Sequence, residues 1–379
     1  MTIQIPFRDF HLIQLLEAYD WNLGPFDVYL ANYFRANKQL GSKDRREISE
    51  TAYGLIRWLG LVDYLMGEPH SWERRVKEFR KLTPSSYREN ARIPLNDRYS
   101  FPQALFDRLV QSHGEERACE IAWASNSPAP VTIRTNLLKI GREELMVRLR
   151  RYCEVRPCAQ SEEGIILSER IHCPTMEEFQ AGLFEMQDEA SQLVASRVAA
   201  KPGQHLLDFC AGAGGKSLAI AARMQNRGQV YLHDIRFKAL QEAQKRLRRA
   251  GVQNAQTILA GDAKLAKIQG HMHWVLVDAP CSSTGTLRRS PDLKWKFKPE
   301  VLEGLVQTQR NLVTEAIPYL KPRVGRLVYA TCSVLAEENQ QQVDWMLANL
   351  PVRLESPPFQ TFPSEQGMDG FFSATFGIV

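Results

Sequence analysis

The sequence lacks the features that mark secreted and membrane proteins. Its seven cysteines among 379 residues follow no regular spacing, which argues against a disulfide framework and favours a reducing compartment. No uninterrupted apolar run approaches the roughly 20 residues that a membrane-spanning helix requires, and the first residues lack the basic-then-apolar pattern of a signal peptide. Internal repeats and low-complexity tracts are also missing. We therefore expect a cytoplasmic protein that contacts no membrane.

The net charge is only +5, yet the positive residues are clustered. Runs of lysine and arginine occur at 245–249 and again between Arg288 and Lys298. Clustered positive charge is typical of proteins that bind polyanions such as nucleic acids. The run at 245–249 is equally compatible with the solvated face of a helix.

The pattern of apolar residues changes twice along the chain. Up to about residue 124 the apolar residues recur mainly at helical spacing, short alternating strands begin near residue 129, and strands alternate with helices from residue 187 onwards. Alternation of strands with helices is typical of a mostly parallel sheet. The sequence therefore predicts three domains: a helical domain with a linker at 1–124, a small α+β module at 125–185, and an α/β domain at 186–379.

A glycine-rich turn opens the predicted α/β domain at residues 206–217 (LLDFCAGAGGKS). Small residues after a buried strand permit a tight turn that brings backbone amides and a helix N-terminus toward a ligand. Asp234 and Asp262 end the next two predicted strands, where they could bind a ribose diol and an adenine edge. Neither a dinucleotide fingerprint nor a Walker loop fits, because Ser217 breaks the first and Cys210 the second. A turn that only packs the strand on the helix remains the alternative.

Two cysteines follow hydrophobic strands in the same domain. Cys281 lies in residues 278–283 (DAPCSS) and Cys332 in residues 329–334 (YATCSV). Ligands bind beyond the carboxyl ends of the strands in an open α/β sheet, so we expect both cysteines and the glycine-rich turn to line one crevice. A single free cysteine is more often an inert buried side chain than a nucleophile. The matching placement of two thiols favours covalent chemistry, which requires a thiolate.

These motifs resemble those of the Sun/Fmu-type RNA (cytosine-5) methyltransferases, which use S-adenosylmethionine. The resemblance rests on four segments in the same order: residues 208–216 (DFCAGAGGK), 278–282 (DAPCS), 285–295 (GTLRRSPDLKW) and 329–333 (YATCS). The N-terminal helices also resemble the NusB-like domain of the bacterial ribosomal-RNA members. The resemblance implies a Rossmann-like class I methyltransferase sheet, preceded by an α+β RNA-binding module and an N-terminal all-α domain.

The resemblance also implies roles for individual residues. In the family, the cysteine that matches Cys332 attacks carbon 6 of the cytosine, and the one that matches Cys281 assists breakdown of the covalent adduct. Asp278 is expected to bind the base near its N3 or, alternatively, to hold the cofactor. The expected S-adenosylmethionine contacts are Cys210, Ala211, Gly212, Ala213, Gly214, Gly215, Lys216, Asp234, Asp262 and Asp278.

RNA is the expected partner. Arg288, Arg289 and Lys294 are predicted to bind phosphates, and Trp295 to stack on a base, although Trp295 suits ordinary core packing equally well. The NusB-like resemblance favours 16S ribosomal RNA, with transfer RNA as the nearest alternative. We expect a monomeric enzyme. We also expect no metal site, because the spacing of Cys153, Cys158, His172 and Cys173 lacks the close cysteine pairs of structural zinc sites.

Two other classes of protein remain open at this point. A ribosome assembly factor could keep the methyltransferase fold and bind RNA without turnover. A nicotinamide-dependent oxidoreductase would explain Asp234, but it would explain neither Cys281 nor Cys332.

Overall fold

The computed structural model describes residues 5–22 and 24–379. In chain order, the helices are α1 Phe7–Glu17, α2 Phe26–Ala36, α3 Ser42–Met66, α4 Trp72–Phe79, α5 Leu95–Arg98, α6 Gln103–His113, α7 Glu115–Ser125, α8 Arg142–Leu149, α9 Glu177–Gln180, α10 Glu189–Arg197, α11 Gly215–Arg223, α12 Phe237–Ala250, α13 Lys264–Lys267, α14 Asp292–Trp295, α15 Pro299–Ala316 and α16 Gln340–Asn349. In the described residues, these helices are all too short or too polar to cross a membrane.

The strands are β1 Val131–Thr135, β2 Val155–Pro157, β3 Gly164–Leu167, β4 Phe184–Met186, β5 His205–Asp208, β6 Gln229–Asp234, β7 Ala255–Leu259, β8 Trp274–Asp278, β9 Arg326–Thr331, β10 Val352–Leu354, β11 Phe359–Gln360 and β12 Phe372–Ile378. The chain forms two compact units. The first comprises the described residues up to Pro128 together with Thr286–Leu302, and the second comprises Ala129–Gly285 and Glu303–Val379.

Helices build the first unit, as the helical spacing of its apolar residues predicts. The central helix α3 buries Ile48, Ala52, Leu55 and Ile56, which recur every three or four residues and therefore share one face. At the start of α3 the Asp44 side chain accepts the backbone N–H of Gly41, the residue directly before the helix, which satisfies an amide that the helix leaves unpaired. The predicted N-terminal helical region is thus confirmed.

The segment Thr286–Leu302 completes this helical unit although it lies far along the sequence from the other helices. Trp295 donates its indole N–H to the Ile56 carbonyl at 2.8 Å. The Lys294 ammonium donates to the Arg57 carbonyl at 2.6 Å and to the Asn126 side chain at 2.7 Å. Burial and the nearby Arg57 charge hold the pKa of Lys294 well below its usual range. This segment is therefore part of the core of the unit.

The second unit contains two sheets. An antiparallel sheet of four strands has the order β2-β3-β1-β4. The larger sheet has the order β10-β12-β9-β8-β5-β6-β7, and β11 pairs with β12 beside it. The strands from β9 to β7 along this order are parallel, whereas β12 runs antiparallel to β9, β10 and β11. The predicted Rossmann-like α/β sheet is confirmed.

The strands of the large sheet are buried on both faces. Leu206 and Leu276 pack into one hydrophobic cluster, while Leu207 and Val277 pack into the cluster on the opposite face. Parallel strands that are covered on both faces read as continuous apolar runs, which is what the sequence contains here. The buried sheet fixes the positions of the strand ends, where ligands bind in folds of this type.

We predict that Lys294→Met destabilises the helical unit. The substitution keeps most of the apolar stem but removes the buried hydrogen bonds to the Arg57 carbonyl and the Asn126 side-chain oxygen, and loss of a buried hydrogen-bond partner costs about 1–3 kcal/mol. Differential scanning calorimetry should show a lower unfolding midpoint. Lys298→Met, at an exposed position in the same segment, is the control and should unfold like the wild type. An unchanged midpoint for Lys294→Met would contradict the buried role.

Candidate active site

The glycine-rich turn joins β5 to α11 at the carboxyl edge of the large sheet. Gly212 and Gly214 have φ angles of +54° and +76°, in the left-handed region that favours glycine. A β-carbon at position 214 would lie 3.0 Å from the Leu232 side chain and 3.3 Å from that of Ala243. Glycine is therefore required at position 214 for both conformation and space. The turn places the start of α11, at Gly215, at the edge where ligands bind.

Two arginines hold the carbonyl groups of this turn. Arg246 donates to the Ala213 carbonyl at 2.9 Å, and buried Arg134 donates to the Gly215 carbonyl at 3.4 Å. Arg246 is itself held by Glu185, with 3.0 Å between the charged groups. The sequence does not predict this role for Arg246, because a basic run on a helix is typical of a solvated face. The available signal was only its helical spacing from the apolar residues of α12.

An acidic strand end lies beside the turn, as predicted. The Asp234 carboxylate accepts the backbone N–H groups of Gly212 and Arg236, each at 2.8 Å. Burial would raise the pKa of Asp234, but hydrogen bonds from Arg236 and Gly212 outweigh it and keep this pKa below its usual value. Asp262 follows β7, the next strand in the sheet, and accepts the Lys264 backbone N–H. The structure thus brings Asp234 to the turn and leaves Asp262 at the adjacent strand end.

Exposed apolar side chains flank Asp234. Ile235 is 76% exposed and Phe237 is 59% exposed, although both are large hydrophobic residues. An apolar surface next to hydrogen-bonding groups suits a ligand with a flat ring, such as a nucleoside. Ile235 is not among the residues predicted from the sequence, and the only indication of it there is an apolar residue directly after an acidic strand end. Left-handed glycines, a helix start, a carboxylate and an apolar surface together fit a nucleoside cofactor.

The two predicted cysteines lie side by side. The Sγ atoms of Cys281 and Cys332 are 3.3 Å apart, and the Ser283 hydroxyl oxygen lies 3.4 Å from the Cys332 sulfur. The hydrogen bond from Cys281 lowers the pKa of the Cys332 thiol despite burial, and the same interaction raises the pKa of Cys281 well above its usual value. Cys332 is therefore the member of the pair that ionises first. Burial raises the pKa of Cys210 in the turn, so Cys210 does not compete as a thiolate.

An ion pair lies next to the cysteines. The Lys216 ammonium and the Asp278 carboxylate are 2.5 Å apart, and Lys216 also lies 5.4 Å from the centre of the Phe371 ring. Burial tends to lower the pKa of Lys216, but the Asp278 charge and hydrogen bond raise it above its usual value. The Lys216 charge favours the Cys332 thiolate, whereas the Asp278 charge opposes it. Lys216 and Asp278, both predicted cofactor contacts, thus act on the Cys332 thiol as well.

The four predicted RNA-binding residues have different surroundings within the helical unit. Arg288 and Lys294 are each only 1% exposed, and Trp295 is partly buried with its N–H bonded to a backbone carbonyl. Arg289 is exposed. The expectation that Arg288 and Lys294 bind phosphates is corrected by their burial. A cluster of positive residues in a sequence does not show whether each side chain is exposed or buried. A buried cationic side chain can instead donate its N–H groups to buried carbonyl oxygens.

The remaining cysteines form no metal site in the described part of the chain. Cys153, Cys158 and Cys173 are free and buried, and burial raises the pKa of both Cys158 and Cys173. Across residues 5–22 and 24–379, no group of three or more histidine, cysteine or acidic side chains is arranged to hold a metal ion.

Comparison with known proteins gives consistent matches. The family model described as 16S rRNA methyltransferase RsmB/F matches residues 195–377, and the RsmF/B-like ferredoxin-like domain matches residues 101–173. Ribosomal RNA small subunit methyltransferase B of Shewanella oneidensis is 30% identical, over 86% of this chain and 76% of that protein. The 26S rRNA (cytosine-C(5))-methyltransferase nsun-1 of Caenorhabditis elegans is 32% identical, over 69% of this chain and 41% of that protein.

A solved structure agrees with these matches. The methyltransferase homolog protein from Pyrococcus horikoshii superimposes with a TM-score of 0.67 at 27% sequence identity. The superposition covers 79% of this chain and 100% of the Pyrococcus chain. The chain belongs to the RsmB/F family of 16S rRNA methyltransferases.

Proposed function

We propose that this enzyme transfers a methyl group from S-adenosylmethionine to carbon 5 of a cytidine in small-subunit ribosomal RNA. The observation that carries the proposal is the Cys281–Cys332 pair, with its sulfurs 3.3 Å apart beside the Lys216–Asp278 ion pair. Carbon 5 of cytosine is a poor nucleophile until another nucleophile adds to carbon 6. A cysteine with a lowered pKa supplies that nucleophile.

The chain has the groups that would hold the cofactor. The backbone amides of the glycine-rich turn, the Asp234 carboxylate and the exposed Ile235 side chain would bind the nucleoside part, with Asp262 at the neighbouring strand end. When bound, S-adenosylmethionine supplies an electrophilic methyl group. The chain's own task is to bring the cytosine into the site and to make its carbon 5 nucleophilic.

Cys332 begins the reaction in this proposal. Its thiolate forms a bond to carbon 6 of the ring, and the electron pair displaced toward N3 is met by a proton that Asp278 helps to hold there. Cys281 donates to the thiolate before the attack. Once the Cys332 sulfur is bonded to carbon it is no longer an anion, so the largest cause of the raised Cys281 pKa disappears. Cys281 can then release its proton to solvent, and the resulting thiolate accepts the proton from carbon 5 as the Cys332–carbon bond breaks and Cys332 leaves as a thiolate.

The choice of substrate rests on the relatives. The Shewanella relative is named for the small ribosomal subunit and the Caenorhabditis relative for 26S rRNA, and both names specify ribosomal RNA. The predicted three-domain division at 1–124, 125–185 and 186–379 would give the helical domain and the α+β module the task of docking RNA. Of the residues of the helical unit that were predicted to bind RNA, Arg289 is exposed, and we propose that it contacts RNA. We further propose a monomer that acts in the cytoplasm, consistent with seven free cysteines.

Methyl transfer to defined RNAs tests the activity. With tritiated S-adenosylmethionine, we expect label in 5-methylcytidine of unmodified small-subunit ribosomal RNA and none in bulk transfer RNA. Label only in transfer RNA would overturn the substrate. If the cofactor binds but no label appears in ribosomal RNA, in transfer RNA or in assembling small subunits, the result would favour an assembly factor without turnover.

The roles of the two cysteines predict opposite effects of two substitutions. Cys281→Ala should form the covalent bond but release it poorly, so a protein–RNA adduct that resists denaturation should accumulate on gels. Cys332→Ala should form no adduct. Cys119→Ala, which changes a free cysteine of the helical unit, is the control and should behave like the wild type. An adduct with Cys332→Ala but not with Cys281→Ala would reverse the two roles.

Support of the glycine-rich turn by Arg246 predicts an effect on cofactor affinity. Arg246→Met removes the donor to the Ala213 carbonyl and one of the two arginines that pair with Glu185, so the turn should lose its fixed shape. We expect S-adenosylmethionine to bind about tenfold more weakly, which corresponds to ~1.4 kcal/mol. Isothermal titration calorimetry measures this. Arg248→Met, at an exposed position of the same helix, is the matched control. Equal affinities of the two variants for S-adenosylmethionine would show that Arg246 does not support the turn.

A further inference from the structure

A buried carboxylate beneath the cysteines has no role in the reaction described so far. Glu338 ends the short 3-10 helix Ala336–Glu338, which follows Cys332 in the chain, and its relative exposure is 0%. Burial raises the pKa of Glu338, although hydrogen bonds from Ser282, Ser333 and Gln309 oppose this effect. Burying a carboxyl group costs free energy, so its partners show what the group holds in place.

These partners lie on the loop that carries the other cysteine. The Ser282 backbone N–H donates to the Glu338 carboxylate at 2.8 Å, and the Ser282 hydroxyl donates to its second oxygen. Gln309, on helix α15, donates to the Glu338 carboxylate and to the Pro280 carbonyl, each at 3.0 Å. The two residues that flank Cys281 are therefore both held, one by Gln309 and the other by Glu338.

The hydrogen-bond network around Glu338 and Gln309 includes two further buried side chains. The Tyr329 hydroxyl donates to the Glu338 backbone carbonyl at 2.7 Å, and Gln342 donates to the Gln309 side-chain oxygen at 2.7 Å. Gln309 and Gln342 are both fully buried. These bonds fix which way the Gln309 amide faces, so its two N–H donors point at Pro280 and Glu338. A fully bonded buried network of this kind is rigid.

We propose that Glu338 is a positioning residue, which holds the loop around Cys281 so that the Cys281 thiol donates to the Cys332 sulfur. Glu338 touches neither the substrate nor the cofactor in this proposal and acts through Cys281. The inference deepens the proposed function, on which it rests for its role in catalysis. Its physical content is the geometry of two sulfurs, which is measurable without RNA or cofactor.

The test measures the ionisation of Cys332. The groups that act on this thiol are Cys281, Ser283, Asp278 and Lys216, and Glu338 acts on Cys281. The rate of Cys332 alkylation by iodoacetamide, followed by mass spectrometry across a pH series, gives the midpoint of its ionisation. We expect a wild-type midpoint below that of an ordinary thiol, about pH 8.5.

Glu338→Ala should raise this midpoint by about one pH unit, because the hydrogen bond from Cys281 is lost. Loss of the negative charge alone would lower the pKa of a nearby thiol, so the direction of the change separates positioning from electrostatics. Glu338→Gln can keep an acceptor for Ser282 and Gln309, and its midpoint should stay near the wild-type value or fall. Glu337→Ala, which changes the neighbouring glutamate, should leave the midpoint unchanged.

A double substitution tests whether the effect passes through Cys281. Cys281→Ala should raise the Cys332 midpoint, and adding Glu338→Ala should raise it no further. If Glu338→Ala does not fold, as judged by its thermal transition, Gln309→Met removes the other hold on the loop and should shift the midpoint upward. A wild-type midpoint in whichever of these two variants folds would overturn the proposal, as would an equal rise in Glu338→Gln or an additional rise in the double variant. Methyl transfer is measured separately, so failure of the proposed function would not be confused with failure of this inference.

Discussion

The proposed mechanism depends on a single hydrogen bond between two cysteines, and that bond depends on the parallel pairing of β8 with β9. The register pairs Asp278 with Ala330, so the chain leaves the two strands at the same level. Cys281 lies three residues beyond Asp278, and Cys332 lies two residues beyond Ala330. Neighbouring strands lie about 4.8 Å apart, which is close enough for side chains from adjacent strand ends to meet. The sheet thus brings together two thiols that are 51 positions apart in sequence.

Proximity alone would not give the two sulfurs different tasks. Two identical thiols at 3.3 Å become unequal because their surroundings differ. Cys332 receives the hydrogen bond and the favourable charge of Lys216, whereas Cys281 lies above the Glu338 carboxylate, which opposes its ionisation. Pairs of titratable groups whose pKa values are pushed apart are a common basis for dividing the roles of nucleophile and acid or base. The buried polar network beneath the loop maintains this difference.

The glycine-rich turn also depends on hydrogen bonds from residues outside it. Two of its carbonyl groups accept hydrogen bonds from arginines, namely Ala213 from Arg246 and Gly215 from Arg134, and these bonds hold the shape of the turn. Arg246 is in turn paired with Glu185, at the centre of β4 in the small antiparallel sheet. The module that precedes the Rossmann-like sheet therefore supports the cofactor turn as well as any RNA that it docks.

Much of this arrangement could be predicted from the sequence, because local signals carry it. Apolar strands that end in Asp208, Asp278 and Thr331 predict a parallel sheet. The position of each strand end then determines where the residues that follow it lie. The burial of Arg288 and Lys294 could not be predicted, since a positive side chain is normally exposed. Only the fold shows that the Lys294 ammonium meets buried oxygen acceptors. Glu338 was missed for a similar reason, because its partner Ser282 is 56 residues away.

The most direct test of the account identifies the cysteine that bonds to the substrate in the unaltered enzyme. Small-subunit ribosomal RNA containing 5-fluorocytidine cannot release the adduct once the methyl group has been transferred, because carbon 5 then carries fluorine instead of a removable proton. After digestion of the trapped complex, mass spectrometry should find the nucleotide on the peptide that contains Cys332. A nucleotide on the peptide that contains Cys281 would contradict the account, and so would the absence of any adduct from RNA that the enzyme methylates in its unmodified form.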